Sequence, residues 1–210
     1  TQARISAYGQ IKSALSALQT AATVVSSTAP FRSTLAQVSD PGAFTAATTD
    51  GAVAGRYDIE VSALARAQKL VSSGFATTTD IVGTGTITFE FGTTSGPAFT
   101  PDAAIAARTL TIDAGRDSLA GIRDAVNAAK VGVTATIVDD GSAAGKRLVF
   151  TSDASGSAKS MRVTVADGDS TDTDNAGLSR LAYDPVALVG AGRNLEQTVV
   201  AQDASFTVDG

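Results

Sequence analysis

The sequence predicts an α+β fold that is mainly antiparallel β structure and begins with an amphipathic helix. Apolar residues in the first segment recur at alternating spacings of three and four, which is typical of a helix. Most later apolar residues alternate with polar ones, which is typical of half-buried strands. Of the 210 residues, 43% are hydrophobic but only 5% are aromatic, so the core must be built mainly from Val, Leu, Ile and Ala.

The first predicted element is a helix over residues 2–27. It ends before Pro30, because the residue preceding a proline disfavours the α conformation. Its apolar positions form one packing seam: Tyr8, Ile11, Leu15, Leu18, Ala22 and Val25. About two and a half heptads do not make a stable coiled coil alone. The seam therefore needs a partner, which is a helix of a longer parent chain, another subunit, or the neighbouring domain of the same chain.

A loop-rich connector follows over residues 31–54, and alternation then predicts a series of short strands. The first is carried by Tyr57, Ile59 and Val61, which alternate with Asp58 and Glu60. The other predicted strands are at 68–72, 87–91, 110–112, 133–137, 148–150, 161–165, 197–201 and 205–208. Residues 92–108 have little pattern, 168–176 form a polar loop, and a short helix is predicted through GLSRLA.

A second helix, over about residues 117–130, is predicted between two of these strands. Leu119, Ile122, Val126 and Ala129 have spacings of three, four and three, and Asp117 or Ser118 can cap the first turn. Gly132 lies just after the end of the helix. Residues 85–166 therefore read β-β-α-β-β-β.

Composition excludes several classes of function. The chain has no Cys and no His, so it can form no disulfide, zinc–thiolate site, Ser-His-Asp triad or Cys-His pair. A net charge of −5 disfavours nucleic acid and anionic membranes as partners. No apolar run is long enough for a transmembrane helix and no signal peptide is recognisable. The first residue is not Met, and we expect the chain to be part of a longer protein.

Three polar motifs could suggest chemistry, but each has a simpler structural explanation. The carboxylates of Asp167, Asp169, Asp172 and Asp174 do not fit an EF-hand frame: counted from Asp167, positions 5 and 6 are Thr and Asp, and counted from Asp172, positions 5 and 12 are Ala and Tyr. Two Gly-x-Gly pairs lack the continuation of a phosphate loop. Asp139-Asp140-Gly141 is typical of a hairpin turn. We therefore predict no catalytic residues, no metal site and no cofactor.

Longer motifs resemble a known family. The opening RISAYGQIKSALSALQTA and the later GRYDIEVSALARAQKLVS resemble the bacterial flagellar filament cap proteins (flagellar hook-associated protein 2), and DSLAGIRDAVNAAKVGVTATIVDDGSAAGKRLVF resembles the flagellin IN motif. The family motif is carried by Gly55, Tyr57, Ile59, Val61, Leu64, Ala65, Gln68 and Leu70. The IN motif is carried by Leu119, Ile122, Val126, Asn127, Gly132, Val133 and Leu148.

The resemblance implies a domain organisation. Residues 1–30 would be part of a helical leg domain, residues 31–83 with 192–210 a first β-rich head domain, and residues 84–191 a second head domain inserted in the first. The nesting follows because strand 57–62 needs partners and the family's chain returns to the same domain near its last strands.

The resemblance also implies a function, which is not enzymatic: a cap at the distal tip of the flagellum that retains exported flagellin and promotes its folding and insertion. The implied partners are a homo-oligomeric ring of cap subunits, flagellin, and the export machinery and its chaperone through other parts of the protein. The implied location is extracellular, reached without a cleavable signal peptide. A surface adhesin that binds host material and an outer domain of a flagellin are the alternatives.

Overall fold

The computed structural model describes residues 2–26, 34–49 and 51–210, and among these it leaves the side chains of 2–5 and 24–25 undescribed. The chain divides into two compact units, residues 1–58 with Asp209 and residues 59–208 with Gly210. The first unit contains helix α1, Gln2–Ser26, which confirms the predicted helix over 2–27. Its predicted stop at Pro30 lies outside the described residues.

The second unit contains most of the regular structure. A helix, α2, spans Leu119–Ala129, and 3-10 helices span Ser157–Lys159 and Gly177–Leu181. The strands, in chain order from β1 to β12, are Ile59–Ala63, Lys69–Val71, Gly85–Ser95, Ala98–Pro101, Arg108–Ile112, Val133–Asp139, Lys146–Ser152, Ser160–Asp167, Tyr183–Val189, Ala191–Arg193, Glu196–Val199 and Ser205–Val208. The predicted α+β class, with mainly antiparallel strands, is confirmed.

The strands form three sheets. A six-stranded sheet has the order β10-β9-β8-β3-β4, with β5 also paired to β3, and a four-stranded sheet has the order β11-β2-β7-β6. A separate ribbon joins β1 to β12. All pairings are antiparallel except the short, irregular one between β9 and β10.

Helix α2 forms where the sequence period predicts it. The Ser118 hydroxyl caps its first turn by accepting a hydrogen bond from the backbone N–H of Gly121 at 3.1 Å. Lys130 ends the helix in the left-handed conformation, with φ 48° and ψ 50°. The apolar stripe of the helix (Leu119, Ile122, Ala125 and Val126) is buried, and the helix packs on β5 and β6. The predicted helical stripe is therefore a core element.

One hydrophobic core joins the two larger sheets. Phe89 of the six-stranded sheet and Phe150 of the four-stranded sheet meet edge to face, with ring centroids 5.4 Å apart. The same core includes residues on both sides of the predicted head-domain boundary, such as Leu70, Phe75 and Leu195. The interior is therefore continuous between the two larger sheets, from Leu70 to Leu195.

The predicted division into two head domains, 31–83 with 192–210 and 84–191, is wrong at the boundary between them. Strand β2 pairs with β7, and β11 pairs with β2, so the four-stranded sheet takes strands from both predicted domains. The physical reason is that a three-residue strand such as β2 cannot bury its apolar residues alone and completes the edge of the β6–β7 hairpin. The expected return of the chain is present, because β12 pairs with β1.

Three strands were not predicted. Residues 92–108, which have little sequence pattern, contain the end of β3 and the hairpin strand β4, so the order before α2 is β-β-β rather than β-β. The turn between them uses Gly96 with a positive φ of 56°. Strands β9 and β10 were also missed, because their sequences, YDPVALV and AGR, do not alternate between apolar and polar residues. No helix in the described part of the chain is long and apolar enough to cross a membrane.

Candidate assembly surfaces

The seam of helix α1 is exposed. Tyr8, Ile11, Leu15 and Leu18 each have 63–74% of their surface open to solvent, and Ala22 is exposed as well. The side chain of Val25 lies outside the described residues. These residues lie three or four positions apart, so they form one apolar stripe along the helix. A contiguous apolar stripe of this kind marks an interaction surface.

The family motif divides into an exposed part and a buried part. Gly55, Tyr57, Leu64 and Ala65 are exposed, Ile59 lies at the limit of exposure, and Val61 is half-buried. Ile59 and Val61 belong to the ribbon, where they face Val208 and Phe206 of β12. The buried part of the motif is Gln68 and Leu70.

Gln68 connects the two larger sheets. Its side chain is 1% exposed, and its Oε1 accepts a hydrogen bond from the backbone N–H of Met161 in β8. Its backbone carbonyl accepts a hydrogen bond from Ser152 of β7 at 3.0 Å. A buried amide without partners would be strongly unfavourable, so these contacts fix where β2 begins between the sheets. Gln68, a residue of the predicted family motif, therefore has a structural role: it connects β8 of the six-stranded sheet to β7 of the four-stranded sheet.

The apolar IN-motif residues form the centre of the core. Leu119, Ile122, Val126, Val133 and Leu148 are all 2% exposed or less. None of them is available to a partner, and their role is to fill the core between α2 and the strands.

Asn127 of the same motif closes a sheet edge. Strand β6 is the outer strand of the four-stranded sheet. The Asn127 side chain donates to the carbonyl of Ala135 at 2.8 Å and accepts from the N–H of Ala135, also at 2.8 Å. An edge strand exposes unpaired backbone groups that invite another strand. Asn127 occupies two of these groups from within the chain.

Gly132 permits a close approach between loop and sheet. It has a positive φ of 86°, and a Cβ at this position would lie 3.1 Å from the Phe91 ring. A side chain would therefore be unfavourable both for its backbone conformation and for space. The Gly132 signal in the sequence marks packing rather than ligand binding.

A groove of about 390 Å³ lies at this end of the second unit. Phe91, Ile105 and Val131 give it an apolar lining, and Arg108, Lys130 and Lys159 give it positive charge. The sequence does not reveal this groove, because its residues are scattered over three strands, a 3-10 helix and several loops, and only the fold brings them together.

Of the three positively charged side chains in the groove, Lys159 has a carboxylate partner in the second unit, whereas Arg108 and Lys130 do not. Lys159 pairs with Asp102 at 3.2 Å, and the Ala104 N–H together with Lys159 lowers the pKa of Asp102 from its ordinary value. Arg108 donates to the carbonyl of Lys130 at 3.1 Å. Within residues 59–208, neither Arg108 nor Lys130 has a carboxylate at ion-pair distance.

The acidic residues singled out in the sequence lie in two places. Asp139 and Asp140 flank the β6–β7 turn and pair with Lys146 and Arg147, which supports the hairpin reading. Asp167, Asp169, Asp172 and Asp174 lie in the loop after β8, and each accepts a hydrogen bond from a backbone N–H. Within the residues that the structure describes, no group of three or more acidic side chains is arranged to hold a metal ion.

Comparison with known proteins identifies both parts of the chain. The family model for the flagellar hook-associated protein 2 N-terminus matches residues 1–68, and the model for the flagellin hook IN motif matches residues 86–154. The B-type flagellar hook-associated protein 2 of Pseudomonas aeruginosa PAO1 is 37% identical over all of this chain. The chain spans 42% of the length of that relative.

Two solved structures from Escherichia coli have the same fold. The D1-D2-D3 domains of the flagellar cap protein FliD match 98% of this chain with 34% identity and a TM-score of 0.68, and this chain covers 53% of that structure. The D2-D3 domains of the same protein match 80% of this chain with 32% identity and a TM-score of 0.63, and 76% of that structure is covered. On these sequence and structural grounds, the chain belongs to the flagellar hook-associated protein 2 (FliD) family of flagellar cap proteins.

Proposed function

We propose that the protein is a structural assembly protein that caps the distal tip of the bacterial flagellar filament. The observation that supports this most directly is the match of nearly the whole chain to a flagellar cap structure. In this proposal the cap retains exported flagellin at the tip, so that each subunit folds and inserts beneath it. The protein makes and breaks no bond in this role.

The exposed seam of α1 supports an assembly role. A helix with four large apolar side chains open to solvent is unfavourable unless a partner covers it. In the cap, this partner is a helix of the protein outside the present chain or of a neighbouring subunit. The first residues of the chain therefore act in the leg that meets the filament, and the β-rich unit acts in the head.

The partners follow from this role. The cap is a homo-oligomeric ring that acts on flagellin, and export proceeds through the flagellar machinery and its chaperone by way of other parts of the protein. The protein is extracellular, at the filament tip. The relatives found are hook-associated proteins rather than flagellins or adhesins, which favours the cap over both alternatives.

The test is the phenotype of a deletion strain. Loss of the full-length protein should leave filaments short or absent, with flagellin monomers released into the medium. A plasmid copy of the wild-type gene should restore filaments, whereas a copy with an early stop codon serves as the matched control. Normal filaments in the deletion strain would contradict the proposal.

A further inference from the structure

Strand β8 of the second unit runs between a positively charged groove and an acidic loop. Strand β8 begins beside Lys159, in the groove, and ends at Asp167, the first residue of the acidic loop 167–174. Its antiparallel partner β3 runs between the same two ends, because Phe91 of the groove pairs with Met161 and Gly85 pairs with Asp167. Eight residues of extended strand span about 25 Å, so the two features lie at opposite ends of the sheet.

The groove end carries a net positive charge beside an apolar surface. Arg108 and Lys130 are exposed neighbours, held together by the hydrogen bond from Arg108 to the Lys130 carbonyl. Lys159 pairs with Asp102, and Asp153, which accepts a hydrogen bond from the Thr134 hydroxyl at 2.7 Å, adds one negative charge to the lining, so Arg108 and Lys130 keep the groove net positive. The groove therefore suits a carboxylate-bearing segment that also covers the half-buried Ile105.

The loop end offers such a segment. Asp169, Asp172 and Asp174 each use Oδ1 to accept a backbone N–H of the loop, so the loop has a defined shape. Within residues 59–208, their Oδ2 atoms have no hydrogen bond and no cation at ion-pair distance. Asp169 and Asp172 are exposed. The loop thus presents several carboxylates outward without a lysine or arginine among them.

We propose that the groove of one copy of the chain receives the acidic loop of a second copy. Complementary surfaces at opposite ends of one unit produce a heterologous, head-to-tail contact, and such contacts close into a ring when the rotation between copies permits. The complementary charges set the register of the contact and speed association. The inference rests on the proposed function, because it names the contact through which the cap subunits join.

The test is charge reversal in the full-length protein, with self-association measured by sedimentation velocity. The groove variant R108E/K130E and the loop variant D169K/D172K should each weaken self-association about tenfold or more, because like charges then face each other. An equimolar mixture of the two variants should associate more tightly than either alone, because each contact between unlike copies is again complementary. The variant with all four changes should return toward the wild-type affinity.

Two further variants test whether the effect depends on reversing charge and on the position of the reversed charges. D169N/D172N keeps an amide oxygen in place of each loop acceptor, and it should weaken association less than the lysine variant. R56E/R123E reverses the exposed Arg56 and the half-buried Arg123, both outside the groove, and should leave the affinity unchanged. All variants should keep the wild-type circular dichroism spectrum.

The outcomes distinguish this contact from the proposed function. If the mixture and the four-change variant remain as weak as the single sets, the contact is wrong, although a deletion strain that loses its filaments would still support the cap. If self-association is restored but the deletion strain keeps normal filaments, the contact stands and the cap function is wrong.

Discussion

At the scale of single residues, Asn127 should contribute measurably to stability although it is exposed. Replacing Asn127 with Ala removes both hydrogen bonds to Ala135 and leaves the edge of β6 open. We expect the free energy of unfolding to fall by about 1 to 2 kcal/mol, the lower part of the usual range, because water can reach the freed groups. Urea denaturation of the chain measures this.

The matched control for Asn127 is Arg123→Ala on the same helix, which removes only an ion pair with the adjacent Asp124. Such a pair is worth little, so the change should be within about 0.5 kcal/mol. Equal effects of the two substitutions would show that Asn127 does not close the edge.

Asp140 should make stability depend on acid pH. Hydrogen bonds from the hydroxyl and backbone N–H of Ser142, and then from Arg147, lower the pKa of Asp140 from 3.8 to about 2. Between about pH 4 and pH 2 the unfolded chain therefore binds more protons than the folded one, so stability is present above this window and is lost as pH falls through it. Neighbouring Asp139 has a pKa lowered in the same direction, first by Lys146.

The measurement is the Tm of the wild type and of Asp140→Asn between pH 5 and pH 2. The variant has no carboxylate to protonate at this position, so its Tm should fall less steeply with acid. Both proteins should be insensitive between about pH 6 and pH 8, because the chain has no His and no Cys. Parallel curves below pH 4 would rule out a role for Asp140.

At the scale of elements, substitutions in the exposed seam of helix α1 should affect the proposed function without changing the stability of this chain. Replacing Leu15 and Leu18 with Asp should change the free energy of unfolding of this chain by no more than about 0.5 kcal/mol, because both side chains are exposed in it. Under the proposed cap function, the same change in the full-length protein places two charges in the leg contact, where each unpaired charge is strongly unfavourable. The variant should be exported with folded heads but fail to remain on the filament tip, and flagellin should leak into the medium.

The control places the same charges on another face of the same helix. Ser13→Asp with Ser16→Asp has the same spacing as the test variant, and both positions are exposed and lie outside the seam. This variant should cap filaments normally. Normal capping by the leucine variant as well would mean that the seam is not the leg contact.

Local patterns predicted most elements because each is fixed by its own residues. Helix α2 was predicted from the spacing of Leu119, Ile122 and Val126, and those residues are buried as the spacing requires. The period cannot show which strands share a sheet, so the pairing of β2 with β7 was missed and the domain boundary was placed wrongly. Strand β4 was missed because Phe99 is its one large apolar residue.

Surfaces, like sheets, can be predicted from the sequence only when their residues are close together in the chain. The apolar seam of α1 is readable because its residues are close in sequence. The groove is not, because Arg108, Lys130 and Lys159 meet only when the sheets and α2 are assembled.

At the scale of the whole molecule, residues 59–208 should fold as one cooperative unit. One core spans both larger sheets, so this fragment should show a single urea transition and well-dispersed amide resonances. The fragment 84–191 lacks β2 and β11 and loses Leu70, Phe75 and Leu195 from the core. It should unfold without a sharp transition, and cooperative unfolding of this shorter fragment would contradict the single-core description.

The β1–β12 ribbon also has a mechanical consequence. Ile59 faces Val208, and Asp209 donates its N–H to the carbonyl of Asp58 at 2.8 Å, so the chain enters and leaves the β-rich unit side by side. A force that pulls Asp58 away from Asp209 loads the ribbon's hydrogen bonds one after another, as in opening a zipper, rather than all together in shear. The ribbon should peel open at low force, before any load reaches Phe89 and Phe150, and rejoin when the force is released.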